Sequence, residues 1–543
     1  MSSNTLIEVF GHILFSFTRG VTEHYNPQEP EFTLESFGYS PLESTGQEWY
    51  RHGDPDEECI YQEYSEREVT TLDFITSSRI NARLIDASHP EENEETQDDQ
   101  QDEDKEMAWK RLRPSALRTI CKSMYIGALI SLLTAIMIGS VNMLISYISY
   151  KTVNICEFHP KKSIPVKVQW IRSISAAIAC VFLYSSFLFI SLLLFRPYQL
   201  TGVKGKLILV ACFAYFIDTT YRVVLQSLGI SHSKLSPLQK LPLYVLFFTA
   251  VCCKAYLLTN HLCLQWKRRQ KMALFLQLTV PICSFIILAV AVVCIIYPLY
   301  NKQSKESKLR LVIALFAPLI GLLFKVISRV SVQRLRNITH PGYSCVLVAP
   351  LYCVPAIMFR VLQADLDSLQ SMAVLGLIHG ATEVIERSTM VVIDHICHVV
   401  CKRTLAPWGS FRTPRRERLM ADIAIMSMLY ESSAIVSVNG VLYLYQLVYL
   451  KDYSLLELLQ SFAKTASVQL VIEWFFTSVS LAIETRYQNI AVMAVWRRRW
   501  KRHILMAVAT TMSSTLWVTA NLLNMAHVRF EVPSNQACKM PFA

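Results

Sequence analysis

Charge is what this chain has least of for its length. Of its 543 residues only 17% are Asp, Glu, Lys or Arg, while 52% are hydrophobic. That balance excludes an ordinary soluble protein, whose surface would need more charge. Phosphate-cradling loops are missing too: no G-x-x-x-x-G-K-[ST] or G-x-G-x-x-G pattern occurs, which argues against ATP-driven work by this chain alone. The zinc-protease pattern H-E-x-x-H is absent. The first residues have no basic start and no small-residue cleavage site, and their apolar stretch Leu6–Phe17 is too short to cross a bilayer.

What is present is a recurrence of long apolar runs. Eleven windows, at about 124–149, 171–195, 206–227, 242–264, 272–298, 311–328, 344–364, 371–400, 419–450, 466–484 and 503–524, read as membrane-crossing helices. The expected fold is all-α, a polytopic integral membrane bundle of about eleven transmembrane helices. Four regions follow: an acidic cytoplasmic tail at 1–109, helices one to seven at 110–364 as a scaffold half, helices eight to eleven at 365–524, and a short tail at 525–543 outside.

The charges that exist are segregated. Residues 1–106 carry 26 acids against 6 basic residues, including the run Glu91–Glu106, so this tail cannot bury enough apolar surface to order itself and is expected to be disordered. The other 47 basic residues are distributed unevenly, and with the amino terminus inside, 27 of them fall in cytoplasmic segments. That orientation puts the carboxyl terminus outside and leaves the acceptor-like Asn337-Ile338-Thr339 in a cytoplasmic loop, where it stays unmodified. Of fifteen cysteines only Cys156 and Cys538 then lie clearly outside, as candidate disulfide partners. In the tail, Tyr39-Ser40-Pro41-Leu42 has the tyrosine-x-x-bulky form that endocytic adaptors read, with Tyr39 and Leu42 as the fixed positions, favouring the plasma membrane or endosomes. The Arg–Trp loops Lys402–Arg418 and Ala494–Arg502 suit anionic lipid headgroups better than nucleic acid.

Charges inside spans are costly, ~2.5–3.5 kcal/mol each, and so mark function or tight pairing. The eighth span is the richest. At about 100° per residue, His379, Glu383, Glu386, Arg387, Asp394 and His398 fall within about 120° on one face. The tenth span sets Glu473, Thr477, Ser480 and Glu484 on one face, and the ninth carries Glu431, Asn439 and Asp422. Asp218 and Arg222, four apart in the third, read as a structural salt bridge. Lys254, Lys325 and Arg360 each either snorkel to an interface or answer an unpaired acid; Lys325 and Arg360 sit near span ends, where snorkelling is favoured, whereas Lys254 lies mid-span.

Three functions fit. The preferred one is a transporter or channel that moves an ion, proton or small solute along a polar track lined by the eighth and tenth spans. Glu383, Glu386, Asp394, Glu431 and Glu473 would bind or relay the cation, His379 and His398 would titrate, and Arg387 would hold the acids in place; no cofactor is required. The first alternative is an intramembrane metal-dependent hydrolase or transferase acting on lipid, with zinc on His379, Glu383, Asp394 and His398. The second is a non-catalytic receptor or scaffold. Asp394-His395-Ile396-Cys397 departs from the Asp-His-His-Cys signature of palmitoyltransferases at its third residue and lacks the flanking cysteine-rich zinc region. An enzyme is therefore the less favoured class.

Overall fold

The computed structural model describes residues 116–511 and 526–527, apart from 153–155, 157–163, 231–236, 264–266, 300–306, 336–338, 403–413, 451–453, 487–491, 493–494, 497–499 and a few single positions. The described residues belong to one compact unit. They are almost entirely helical, with no strand among them. Each of the eleven apolar windows holds a helix: α1 Ala116–Thr152, α2 Val166–Leu194, α3 Lys204–Ser227, α4 Pro237–Leu262, α5 Arg268–Ala291, α6 Ser307–Gln333, α7 Ala349–Ala364, α8 Leu369–Lys402, α9 Pro414–Tyr445, α10 Leu455–Arg486 and α11 at 500–511. The acidic tail, with Tyr39 and Leu42, lies outside the described residues, as do Asn337, Cys538 and the side chain of His398.

Seven of these, α1 to α5, α9 with the wide turn Gln446–Leu450 that extends it, and α10, are long and apolar enough to cross a membrane. At 1.5 Å per residue the 24 residues of α3 reach ~36 Å, against ~30 Å of hydrocarbon. α7 has only 16 residues, but the tighter turn Pro341–Leu347 precedes it and lengthens the segment. Proline opens α9 at its first helical position, where no backbone donor is lost. Glycine closes α3. Gly229 takes φ +75°, so that its N–H bonds Gln226 O at 3.0 Å and the Ile230 N–H bonds Leu225 O at 2.9 Å, satisfying two terminal carbonyls.

The side-chain contacts fix the relative direction of the helices. Successive helices run opposite ways, as in Ser173–Gln226 with Tyr184–Asp218 for α2 and α3, and Glu383–Ser427 with His379–Glu431 for α8 and α9. Alternate helices run together: Gly380 meets Phe476 and Arg387 meets Glu484 for α8 and α10, and Lys325–Glu386 with Arg329–Asp394 does so for α6 and α8. The chain therefore goes up and down, as short connections between neighbouring helices require.

α9 is the axis of the bundle, buried along nearly its whole length, with α1, α7 and α10 against it. α1 approaches it closely because small residues permit it: a Cβ on Gly139 would lie 2.5 Å from Val436, and one on Gly440 would lie 2.6 Å from Met143. Between those two contacts Asn142 Nδ2 donates to Ser437 Oγ at 2.9 Å. The outer helices turn large apolar side chains outward, among them Leu129, Ile136 and Leu144 on α1 and Leu209, Phe213 and Phe216 on α3. An exposed apolar face of that extent needs lipid or a partner to cover it. Cys156, in the connection after α1, is buried and disulfide-bonded.

Candidate functional site

The polar face of α8 points into the bundle, and each of its acids is answered from another helix. Arg387 makes two parallel bonds to Glu484 of α10, at 2.8 and 2.7 Å, and lies 4.0 Å from Glu383. Glu386 pairs with Lys325 of α6 at 3.1 Å. Asp394 accepts from Arg329 at 3.0 Å and from Gln333 at 2.8 Å, both on α6. Arg329 is itself fully buried and also donates to Tyr352 OH at 3.0 Å.

The centre of the cluster is Arg360 of α7, 1% exposed. Its Nη2 bonds Glu431 Oε2 of α9 at 2.9 Å and Glu473 Oε2 of α10 at 2.5 Å, and its Nη1 donates to Gln363 at 3.0 Å. His379 enters from α8, with Nε2 3.5 Å from Glu431 Oε1 and its ring stacked on Phe359 at 3.7 Å between centroids. Glu383 accepts from Ser427 Oγ at 2.7 Å, and Glu473 from Thr477 at 3.1 Å. One ligand atom each from His379, Glu383 and Glu431 lie within 4.8 Å of one another.

α8 and α10 come together there because glycine allows it. A Cβ on Gly380 would lie 2.2 Å from the Phe476 ring, and one on Gly376 would lie 2.9 Å from the Gln363 amide. Among the described residues, six carboxylates, Glu383, Glu386, Asp394, Glu431, Glu473 and Glu484, face four cations, Lys325, Arg329, Arg360 and Arg387. Three pairs close one to one. Arg360 is left with Glu431, Glu473 and the neighbouring Glu383, so with all acids ionised the centre carries an excess of two negative charges. In a low dielectric such an excess is relieved by a counter-charge or by protonation of an acid.

No family model, curated protein or solved structure matches the chain. The site must speak through its own residues.

The structure brings His379, Glu383, Glu431 and Glu473 together and sets Glu386 and Asp394 in separate pairs further along α8. Asp394 stands on Arg329, eleven residues or ~16 Å along the helix from Glu383, so it does not share a metal with His379. One expectation is corrected outright. Lys325 and Arg360 do not snorkel: both are tied to carboxylates within the bundle, because a charge that finds a partner there need not reach water. Arg387 holds Glu484 first and Glu383 only at longer range. Helices α6 and α7, read from sequence as scaffold, supply three of the four cations. Arg329, which hydropathy leaves in a loop, was missed, and its signal was its spacing of four residues from Lys325, on one face of α6. Asp422, at the far end of α9, is bonded by His503 at 2.9 Å with Arg418 at 3.6 Å.

Proposed function

We propose that this protein crosses a membrane about eleven times and moves a cation or a small solute through the cluster between α7, α8, α9 and α10. One observation carries the reading: polar side chains follow one another across the bundle and gather three carboxylates around one arginine at their middle. The run starts at Asn439 and Gln469, 3.1 Å apart, and passes Gln363, Arg360, Glu473, Glu431 and His379. It continues through Glu383 and Ser427 to Arg387 and Glu484. From the level of Met372, which Gln363 touches, to Arg387 is 15 residues of α8, ~22 Å, most of the ~30 Å depth of a bilayer core. Pairs made only to hold helices together would close one to one; this centre does not, and an unanswered carboxylate is what a moving cation binds.

Purified protein in liposomes with an imposed cation gradient tests the reading. Flux is expected in the wild type and its loss in both Glu383→Gln and Glu473→Gln; full flux in both variants would remove these acids from the path. The amino terminus is proposed to be cytoplasmic and the carboxyl terminus outside, with the Arg–Trp inner loops on anionic headgroups and the Tyr39–Leu42 pattern directing the protein to the plasma membrane or endosomes. A glycan found on Asn337 would reverse that orientation.

A second reading, an intramembrane metal-dependent hydrolase or transferase of lipid, draws on His379, Glu383 and Glu431, which offer one imidazole and two carboxylates in one place. It requires turnover of lipid by the purified protein and no flux.

A further inference from the structure

We infer that His379, Glu383 and Glu431 form a binding site for a single divalent transition-metal ion of the zinc or manganese class. What the ion does there, as the cargo, rests on the transport reading; the site itself rests on geometry. Tetrahedral bonds of ~2.0–2.2 Å place ligand atoms ~3.3–3.6 Å apart. His379 Nε2 and Glu431 Oε1 already stand at 3.5 Å, and the third ligand atom lies within 4.8 Å of both, inside the reach of a small side-chain adjustment.

Each of the three is held from behind, as metal ligands are. Ser427 Oγ fixes Glu383 Oε1, Arg360 fixes Glu431 Oε2 and so leaves Oε1 toward His379, and Phe359 clamps the imidazole plane. A donor completes the arrangement: Arg387, 4% exposed, has an Nη1 with no hydrogen-bond acceptor, and this atom lies 4.0 Å from Glu383 Oε1. It is placed to donate to an oxygen, such as a water, in the fourth position of the ion.

The charge agrees with the valence. With Glu383, Glu431 and Glu473 ionised and His379 neutral, the excess at the centre is two negative charges, which one divalent ion cancels and one monovalent ion does not. The donor set selects among divalent ions, since an imidazole with two carboxylates suits zinc, manganese or iron, whereas calcium and magnesium prefer oxygen alone.

The test uses full-length protein in detergent, stripped with chelator, dialysed against Zn²⁺ or Co²⁺ alone and assayed by elemental analysis and by the visible absorption of tetrahedral Co²⁺. One ion per chain is expected in the wild type and in Glu457→Gln, an exposed control on α10. Binding should weaken by roughly 100-fold or more in His379→Asn and Glu383→Gln and by about 10-fold in Ser427→Ala. Because Glu431 also answers Arg360, the variants at His379 and Ser427 keep the test alive if Glu431→Gln fails to fold. Wild type that unfolds cooperatively yet retains no metal overturns the site, as does retention unchanged by His379→Asn and Glu383→Gln. The transport reading then stands or falls separately: flux of protons or monovalent cations without bound metal keeps transport and sinks the metal site. Metal bound at these residues without any flux keeps the site and sinks transport.

Discussion

Asp218 and Glu473 are both carboxylates buried in apolar helices, 3% and 2% exposed, yet they are neutralised in different ways. Asp218 is bonded by Arg222, one turn along the same helix, with Tyr184 OH at 3.3 Å as a second donor. A single helix can make that pair before it touches any other. Glu473 depends on Arg360, 113 residues away on another helix, and shares it with Glu431. The first pair is complete wherever α3 goes. The second exists only when α7, α9 and α10 have docked, and it leaves charge over. A pair that closes within one helix needs no docking; acids from three helices gather around one arginine only when the bundle has formed.

The comparison breaks or sharpens under substitution. The largest effect is expected from Arg360→Gln, which leaves Glu431 and Glu473 facing one another in a dry interior. Stability in detergent should fall by ~3–5 kcal/mol, and adding Glu473→Gln should recover part of it. If Arg360→Gln unfolds no more readily than Asp218→Asn, the contrast between the clusters is wrong. Next is Gly380→Ala, whose new methyl would lie 2.2 Å from Phe476. Forcing α8 from α10 should cost ~1–3 kcal/mol and lower flux, because it widens the approach on which the cluster depends. Asp218→Asn removes the carboxylate that Arg222 bonds one turn away on the same helix. It should cost ~1–3 kcal/mol with flux intact in the folded protein; lost flux would make the α2–α4 region part of the path. The smallest effect, ~0.6 kcal/mol on average for a hydrogen bond between membrane helices, is expected for Asn142→Ala. Reversible unfolding in mixed detergent measures each of these, and liposome flux separates stability from transport.

Much of this was legible in one dimension. The windows that hold α1 to α11 were marked by apolar length, and the pairing of Asp218 with Arg222 by a spacing of four. The stripe on α8 followed from residue spacing alone, since 3.6 residues per turn put His379, Glu383, Glu386 and Arg387 on one side whatever surrounds them. The short patterns Ser140-Val141-Asn142 and Ser437-Val438-Asn439 are too brief to mark a repeat in sequence; in the structure they lie against one another, through Asn142 and Ser437. What stayed hidden were partners. Lys325, Arg329 and Arg360 appear in sequence as isolated cations, and no periodicity says which acid each will meet.

The division has a physical origin. Backbone hydrogen bonds in a helix close within four residues, and the apolar length that suits a bilayer is a property of one continuous segment, so the sequence by itself determined that this chain is a set of long apolar helices with ionisable side chains on particular faces. Ion pairs across helices depend on which faces meet and at what height, which glycine contacts such as Gly380 with Phe476 and Gly139 with Val436 set only after docking. Tertiary structure alone decided that Arg360 answers Glu431 and Glu473, that Asp394 belongs to Arg329, and that His379 and Glu383 find their third partner in Glu431.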